Sequence, residues 1–171
     1  MKKITLLLAS LLAVVASNNI CASDWPQWDE FATRFVQADG RVIDLTFDRK
    51  STSEGQSYGL FFALVANDRA RFDAILKWTS ANLAHTQLGE KLPAWLWGER
   101  ADGSWGVKDE NPAADGDLWM AYTLLEAGRL WKSPNYTDIG RKLLTQIAEY
   151  ETVNAGDAGH LLLPGKWGFK L

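Results

Sequence analysis

Apolar residues recur at intervals of three and four along most of the chain after residue 25. Trp28, Phe31, Ala32, Phe35 and Val36 share one helical face, and Pro26 suits a first turn, so the spacing predicts a helix that Gly40 stops. Residues 41–52 have no such period and read as an irregular connection. Ser53 and Gln56 form a Ser-x-x-Gln capping box ahead of the apolar run from Leu60 to Ala66, which predicts a largely buried second helix. Asn67 can cap a third helix, in which Phe72, Ile75, Leu76, Thr79 and Leu83 share a stripe. Residues 86–113 are rich in Gly, Pro, Trp and charge and read as a long surface excursion with a short hairpin around Asp102-Gly103. Ordered loops of that length usually carry function. Helix returns from Asp117 to Trp131, Ser133-Pro134-Asn135 breaks it, and Thr137 can cap a last helix carrying Ile139, Leu143, Leu144, Ile147 and Ala148. A glycine-rich tail leads to Leu161-Leu162-Leu163-Pro164-Gly165. Helix pairs, long loops and almost no strand-type alternation predict an all-α array of helical hairpins, without a clean internal repeat.

The start of the chain follows a different pattern. Lys2 and Lys3 precede a nearly unbroken apolar run from Ile4 to Ala16, and small residues follow as far as Cys21-Ala22-Ser23. This is the layout of a secretory signal peptide, expected over residues 1–22 with cleavage after Ala22. The run is shorter than the roughly 20 residues of a membrane span. The mature chain, residues 23–171, is therefore expected to have no membrane span and to be periplasmic or secreted. Cys21, the only cysteine, leaves with the leader, so neither a disulfide nor thiol chemistry is expected.

Composition narrows the function classes. With 47% hydrophobic and 23% charged residues the 171-residue chain has globular proportions and the length of one domain. The net charge of −3 and the lack of a Lys/Arg cluster argue against a nucleic-acid partner. Nine tryptophans are more than a core of this size needs, which leaves some for a binding face.

Two helix starts carry candidate chemistry. Glu54 lies in the first turn of the buried second helix, between Ser53 and Gly55. It can act as a general acid if it lines a partly apolar pocket, or merely complement the helix dipole. Asp115 and Asp117 flank Gly116 just before the fourth helix; one can cap while the other faces a cavity. Asp-x-Asp is also part of a calcium loop, but the remaining oxygen ligands are missing, so no metal is expected. His85 and His160 lie far apart and make no zinc pattern. No phosphate loop occurs. Trp95, Trp97 and Trp105 fall in the polar excursion, where flat rings can stack on the apolar faces of sugars or else fill gaps between helices. Carboxylates, spare tryptophans and export together suggest work on a polysaccharide, and a glycosidase needs two carboxyl groups around the scissile bond.

Several separated segments resemble glycoside hydrolase family 8, and within it the periplasmic endoglucanases of bacterial cellulose synthesis. They are Arg41-Val42-Ile43-Asp44, Thr52-Ser53-Glu54-Gly55-Gln56-Ser57-Tyr58-Gly59, Leu92-Pro93-Ala94-Trp95-Leu96-Trp97-Gly98 and Leu162-Leu163-Pro164-Gly165-Lys166. The family signature (Ala, Ser or Thr, Asp, Ala or Gly, Asp) appears as Ala113-Ala114-Asp115-Gly116-Asp117, departing at Ala114, and at Thr123 in the helix that follows. The resemblance runs from Trp25 to about Phe169. It implies an (α/α)6 toroid, incomplete in this chain, and endo-hydrolysis of β-1,4-glucosidic bonds of cellulose or a related β-glucan with inversion. Glu54 matches the proton donor. Asp115 matches the signature aspartate and is expected to hold and distort the sugar beside the scissile bond and to help order the water. Tyr58, Trp95, Trp97 and Asp117 are expected to bind substrate. No cofactor is implied; the implied partners are the glucan and the cellulose synthase machinery.

The family's general base is a later aspartate, and members are about twice this long, so the chain corresponds to the N-terminal half of the toroid. A short chain that binds glucan without cutting it, or a non-catalytic helical domain, are the alternatives. The second of these sits poorly with Glu54, Asp115 and the tryptophan loop occurring together.

Overall fold

The computed structural model describes residues 25–169, so the expected leader lies outside the described residues. Five α-helices carry the fold: α1 (Pro26–Phe35), α2 (Ser53–Val65), α3 (Arg69–Leu83), α4 (Ala114–Leu130) and α5 (Pro134–Tyr150). α2 packs on α3, α4 packs on α5, and the two pairs meet through α2 and α4. Packing on both flanks explains why α2 reads as an apolar run: Leu60, Ala63 and Leu64 are all buried. α5 has a single buried flank, with Leu143 and Ile147 inward and Leu144 exposed. Gly140 brings α5 close to α4, since a side chain there would meet Leu125 Cγ at 3.0 Å and the Ala121 carbonyl at 3.1 Å. Trp28, Phe72, Leu60, Ile75, Leu83, Met120, Leu124 and Leu143 are the largest fully buried apolar side chains.

Helix existence matches the periodicity; the ends differ, because the expected residues do not cap the helices. α1 ends at Phe35, and Val36 turns extended to bridge Val42. Gly40 comes later, in a turn with φ +94°, where a Cβ would lie 2.1 Å from the Ala74 carbonyl oxygen. Thr52, not Ser53, caps α2 by accepting from the Gly55 amide at 3.0 Å. Asp68, not Asn67, caps α3, through the Arg71 amide at 3.1 Å. Asn67 takes a left-handed φ of 53° and accepts from the Trp131 indole at 2.8 Å. α4 starts at Ala114, so both signature aspartates are helical and neither is the cap. α5 starts on Pro134, leaving Thr137 inside it.

Small sheets complete the fold, so the all-α expectation holds for the helical body alone. β1 (Ser51–Thr52), β2 (Leu96–Glu99) and β3 (Trp105–Asp109) form an antiparallel sheet in that order, with Ser51 opposite Trp97 and Gly98 opposite Gly106. The β2–β3 turn is the hairpin expected at Asp102-Gly103. Asp102 accepts from the Ser104 amide and hydroxyl there. β4 (Thr152–Asn154) pairs with β5 (His160–Leu162). Strands of two or three residues are too short to show a period of two, which is why β1, β4 and β5 left no trace in the pattern. No helix among the described residues is long and apolar enough to cross a membrane.

Candidate active site

Two helix N-termini meet where the sequence placed its candidate carboxylates. β1 leads directly into α2, and the Ser53 amide bonds the Trp95 carbonyl at 3.0 Å, which fixes the first turn of α2 to the tryptophan loop. Gly116, in the first turn of α4, lies against that same turn. A Cβ on it would stand 3.1 Å from the Glu54 amide nitrogen, 3.1 Å from Ser53 Oγ and 3.3 Å from Glu54 Cα. The small residue between the aspartates thus lets the α4 start approach the Glu54 backbone. Glu54 is half-buried and Asp115 exposed. The Ser53 hydroxyl donates to Glu54 Oε2 at 3.0 Å and holds one edge of the carboxyl group.

Deeper in, Gln56 moors this turn. It does not complete a capping box; it is fully buried, its Oε1 accepting from the Val42 amide at 2.5 Å and its Nε2 donating to Thr79 Oγ1 at 2.8 Å and to the Gly40 carbonyl at 3.3 Å. A capping glutamine must fold back over its own helix start, whereas this one points between α3 and the residue 40–42 turn.

The other expected residues divide. Tyr58, one turn beyond Glu54, is 45% exposed and meets Trp119 edge-on at 6.2 Å. Trp119 lies one turn beyond Asp115, with Phe61 at 4.9 Å and Tyr122, itself 50% exposed, at 5.9 Å. Trp119 and Tyr122 were not foreseen; their spacing of four and seven from Asp115 was the available signal. Trp95 is half-buried beside Ser53. Its indole and the Asn111 amide donate to Asp109 and hold that carboxyl below its ordinary range. Trp97 is not brought to the carboxylates. Its ring meets Trp78 at 5.3 Å and Trp105 at 5.3 Å, with the Arg41 guanidinium 4.3 Å over it, and it lines a groove along α3.

Asp117 corrects an expectation. It is 0% exposed, so it cannot touch a sugar, and it faces Glu151, also 0% exposed, at the C-terminal end of α5. Its place on the inner side of α4 follows from the helix: two residues past Asp115 is a rotation of about 200°. Burial and the neighbouring Glu151, Glu54 and Asp115 push Asp117 well above the ordinary carboxyl range. Glu151 is pushed up to about 7, chiefly by burial. Glu151 was missed, though it continues the buried Leu143–Ile147 stripe by one further step of four. No group of His, Cys, Asp or Glu among the described residues is arranged to hold a metal ion.

The glycosyl hydrolases family 8 model matches residues 1–171, the whole chain. The chain belongs to glycosyl hydrolase family 8. Among its relatives in the family, an endoglucanase of Escherichia coli O157:H7 is 55% identical over 163 residues, covering 95% of this chain and 44% of that protein. The crystal structure of an endo-1,4-D-glucanase from Vibrio fischeri superposes with a TM-score of 0.83 at 50% identity, covering 86% of this chain and 43% of the other. That of endoglucanase Cel10, a family 8 glycosyl hydrolase from Klebsiella pneumoniae, gives a TM-score of 0.78 at 30% identity, covering 86% and 46%. The chain thus spans less than half the length of these family 8 relatives.

Proposed function

We propose that this chain forms part of an endo-β-1,4-glucanase that hydrolyses internal bonds of cellulose or a related β-glucan with inversion. One observation carries the reading: Gly116 packs the start of α4 against the start of α2, which brings the turn that carries Asp115 against the turn that carries Glu54. The relatives named endoglucanase support the substrate class. Glu54 donates its proton to the departing glycosidic oxygen, oriented by the Ser53 hydroxyl on Oε2. Asp115, exposed on the first turn of α4, accepts sugar hydroxyls and turns the ring beside the scissile bond toward the flattened geometry of the transition state. Trp95, Tyr58 and Trp119 offer flat apolar faces next to them. Asp117 and Glu151 are buried, so neither can deprotonate an attacking water. The base comes from outside the described residues, about 6.5–9.5 Å from Glu54 as inversion requires. No cofactor takes part.

We also place the helical pairs in an (α/α)6 toroid and the protein in the periplasm or outside the cell, working beside the cellulose synthase machinery. The test is proton NMR of fresh product from cello-oligomers incubated with the protein that carries this chain. The α-anomer appearing first is the expected result. An initial β-anomer would make Asp115 a covalent nucleophile and overturn inversion, and no release of reducing ends would leave a glucan-binding chain.

A further inference from the structure

The strangest feature behind the site is a pair of carboxyl groups facing each other in the core. Asp117 comes from the first turn of α4 and Glu151 from the residue that closes α5, and both are fully buried. None of their four carboxylate oxygens finds an N–H or O–H donor among the described residues. The charges bearing on Asp117 are Glu151, Glu54 from α2 and Asp115 from its own helix; those bearing on Glu151 are Asp117 and Asp115. All are acidic. Two buried carboxylates with only acceptors between them repel, and desolvating even one unpaired charge is strongly unfavourable. A single proton removes the conflict, because one group then donates to the other in a charge-assisted hydrogen bond.

The surroundings show what such a bond would hold. Glu151 lies in a strip of chain that also grips the start of α4: the Leu163 amide bonds the Glu151 carbonyl at 2.8 Å, and the Ala114 amide bonds the Pro164 carbonyl at 3.1 Å. Ala114 precedes Asp115 directly, and α4 has no side-chain cap of its own.

We propose that Asp117 and Glu151 share one proton, and that this hydrogen-bonded carboxyl pair is the positioning device that pins the first turn of α4, and hence Asp115, opposite Glu54. Neither residue touches substrate. The catalytic importance of the pinned turn rests on the reading of Glu54 and Asp115 given above, whereas the pair and its pinning do not. The pair titrates as a unit. When pH rises far enough for its last proton to leave, two negative charges are buried side by side, the bond is lost and the α4 start loosens. An amide in either position supplies a permanent donor: Glu151→Gln gives its N–H to Asp117, and Asp117→Asn gives its N–H to Glu151.

Infrared spectra and amide hydrogen exchange test the two halves independently of hydrolysis. At neutral pH the parent protein is expected to show the carbonyl stretch of a protonated carboxyl group, missing from both Glu151→Gln and Asp117→Asn. At one alkaline pH, the first-turn amides of α4 should exchange about tenfold faster in the parent than in Glu151→Gln, with the gap widening about tenfold per further pH unit until the pair is fully ionised. A parent without the protonated-carboxyl band, or a band that survives both substitutions, would overturn the shared proton. Equal first-turn exchange in parent and Glu151→Gln would overturn the pinning. Absence of glucan hydrolysis by the protein that carries this chain would count against the glucanase reading and leave both of these results to decide the pair. Both substitutions preserve side-chain shape, so the fold is expected to survive them.

Discussion

Replacing Gln56 by leucine isolates the mooring of the α2 start. The side chain keeps its approximate size but loses its hydrogen-bonding groups. The Val42 amide and the Gly40 carbonyl, both in buried residues, then lose the partner they have in Gln56. Thr79 loses one donor but still gives its hydroxyl to the Ile75 carbonyl at 2.8 Å, so it contributes little. Each orphaned buried backbone group costs about 1–3 kcal/mol. The sum is roughly 4 kcal/mol, a large part of the about 5–15 kcal/mol that holds a typical domain together. Urea unfolding followed by circular dichroism should show a lower midpoint at unchanged slope, because the same surface is exposed on unfolding. Glu54 lies two residues from Gln56, so the loss should also reach the site as weakened general acid catalysis. A Gln56→Leu protein within about 1 kcal/mol of the parent would refute the reasoning, since that is less than one orphaned group costs.

Gly40→Ala should destabilise by several kcal/mol in the same assay, because the added carbon meets the Ala74 carbonyl oxygen at 2.1 Å and φ is +94°, and repair would require moving α3. Stability should also fall as pH rises through the titration of Glu151. Its folded pKa of about 7 lies above the ordinary glutamate value of 4.5, so between the two the native state holds a proton that the unfolded chain releases. Stabilisation is thus full below about 4.5 and lost through about 7, with a slope approaching 1.4 kcal/mol per pH unit that Glu151→Gln should flatten in urea titrations at stepped pH. Trp95→Ala should weaken binding of cello-oligomers, measured by calorimetry, more than Trp97→Ala does, because Trp95 adjoins Ser53 while Trp97 is occupied by Trp78, Trp105 and Arg41.

What was legible in the sequence follows from the range of each interaction. The helices were readable because their period is local: Phe72, Ile75, Leu76, Thr79 and Leu83 lie on one face whatever else the chain does, and all are buried. Glu54 and Asp115 stand out as candidates because their surrounding motifs are continuous in sequence. Gln56 was misread because a local capping box and a long-range bond to Val42, Gly40 and Thr79 use the same residue type at the same position. Asp117 was misplaced for a related reason. A signature gives residue identity, whereas the side of the helix a residue occupies depends on where that helix begins, and α4 begins three residues before the expected start. Glu151 lay outside every recognised motif, and its partner is 34 positions away in sequence, so only the tertiary packing of α4 on α5 reveals the pair.

The central claim is that Glu54, presented at the meeting of α2 and α4, is the acid of a glycoside hydrolase. Its most direct measurement is the rate of reducing-end release from unactivated cello-oligomers by Glu54→Gln, set against the same variant acting on a glucoside with a very good leaving group. The amide keeps the shape and cannot supply a proton. Hydrolysis of the oligomers should therefore fall by about 10²–10⁴-fold, the activated substrate should suffer far less, and oligomer binding should be largely spared. A variant that keeps more than about a tenth of the parent's rate on the oligomers would contradict the claim, because that is less than general acid catalysis contributes.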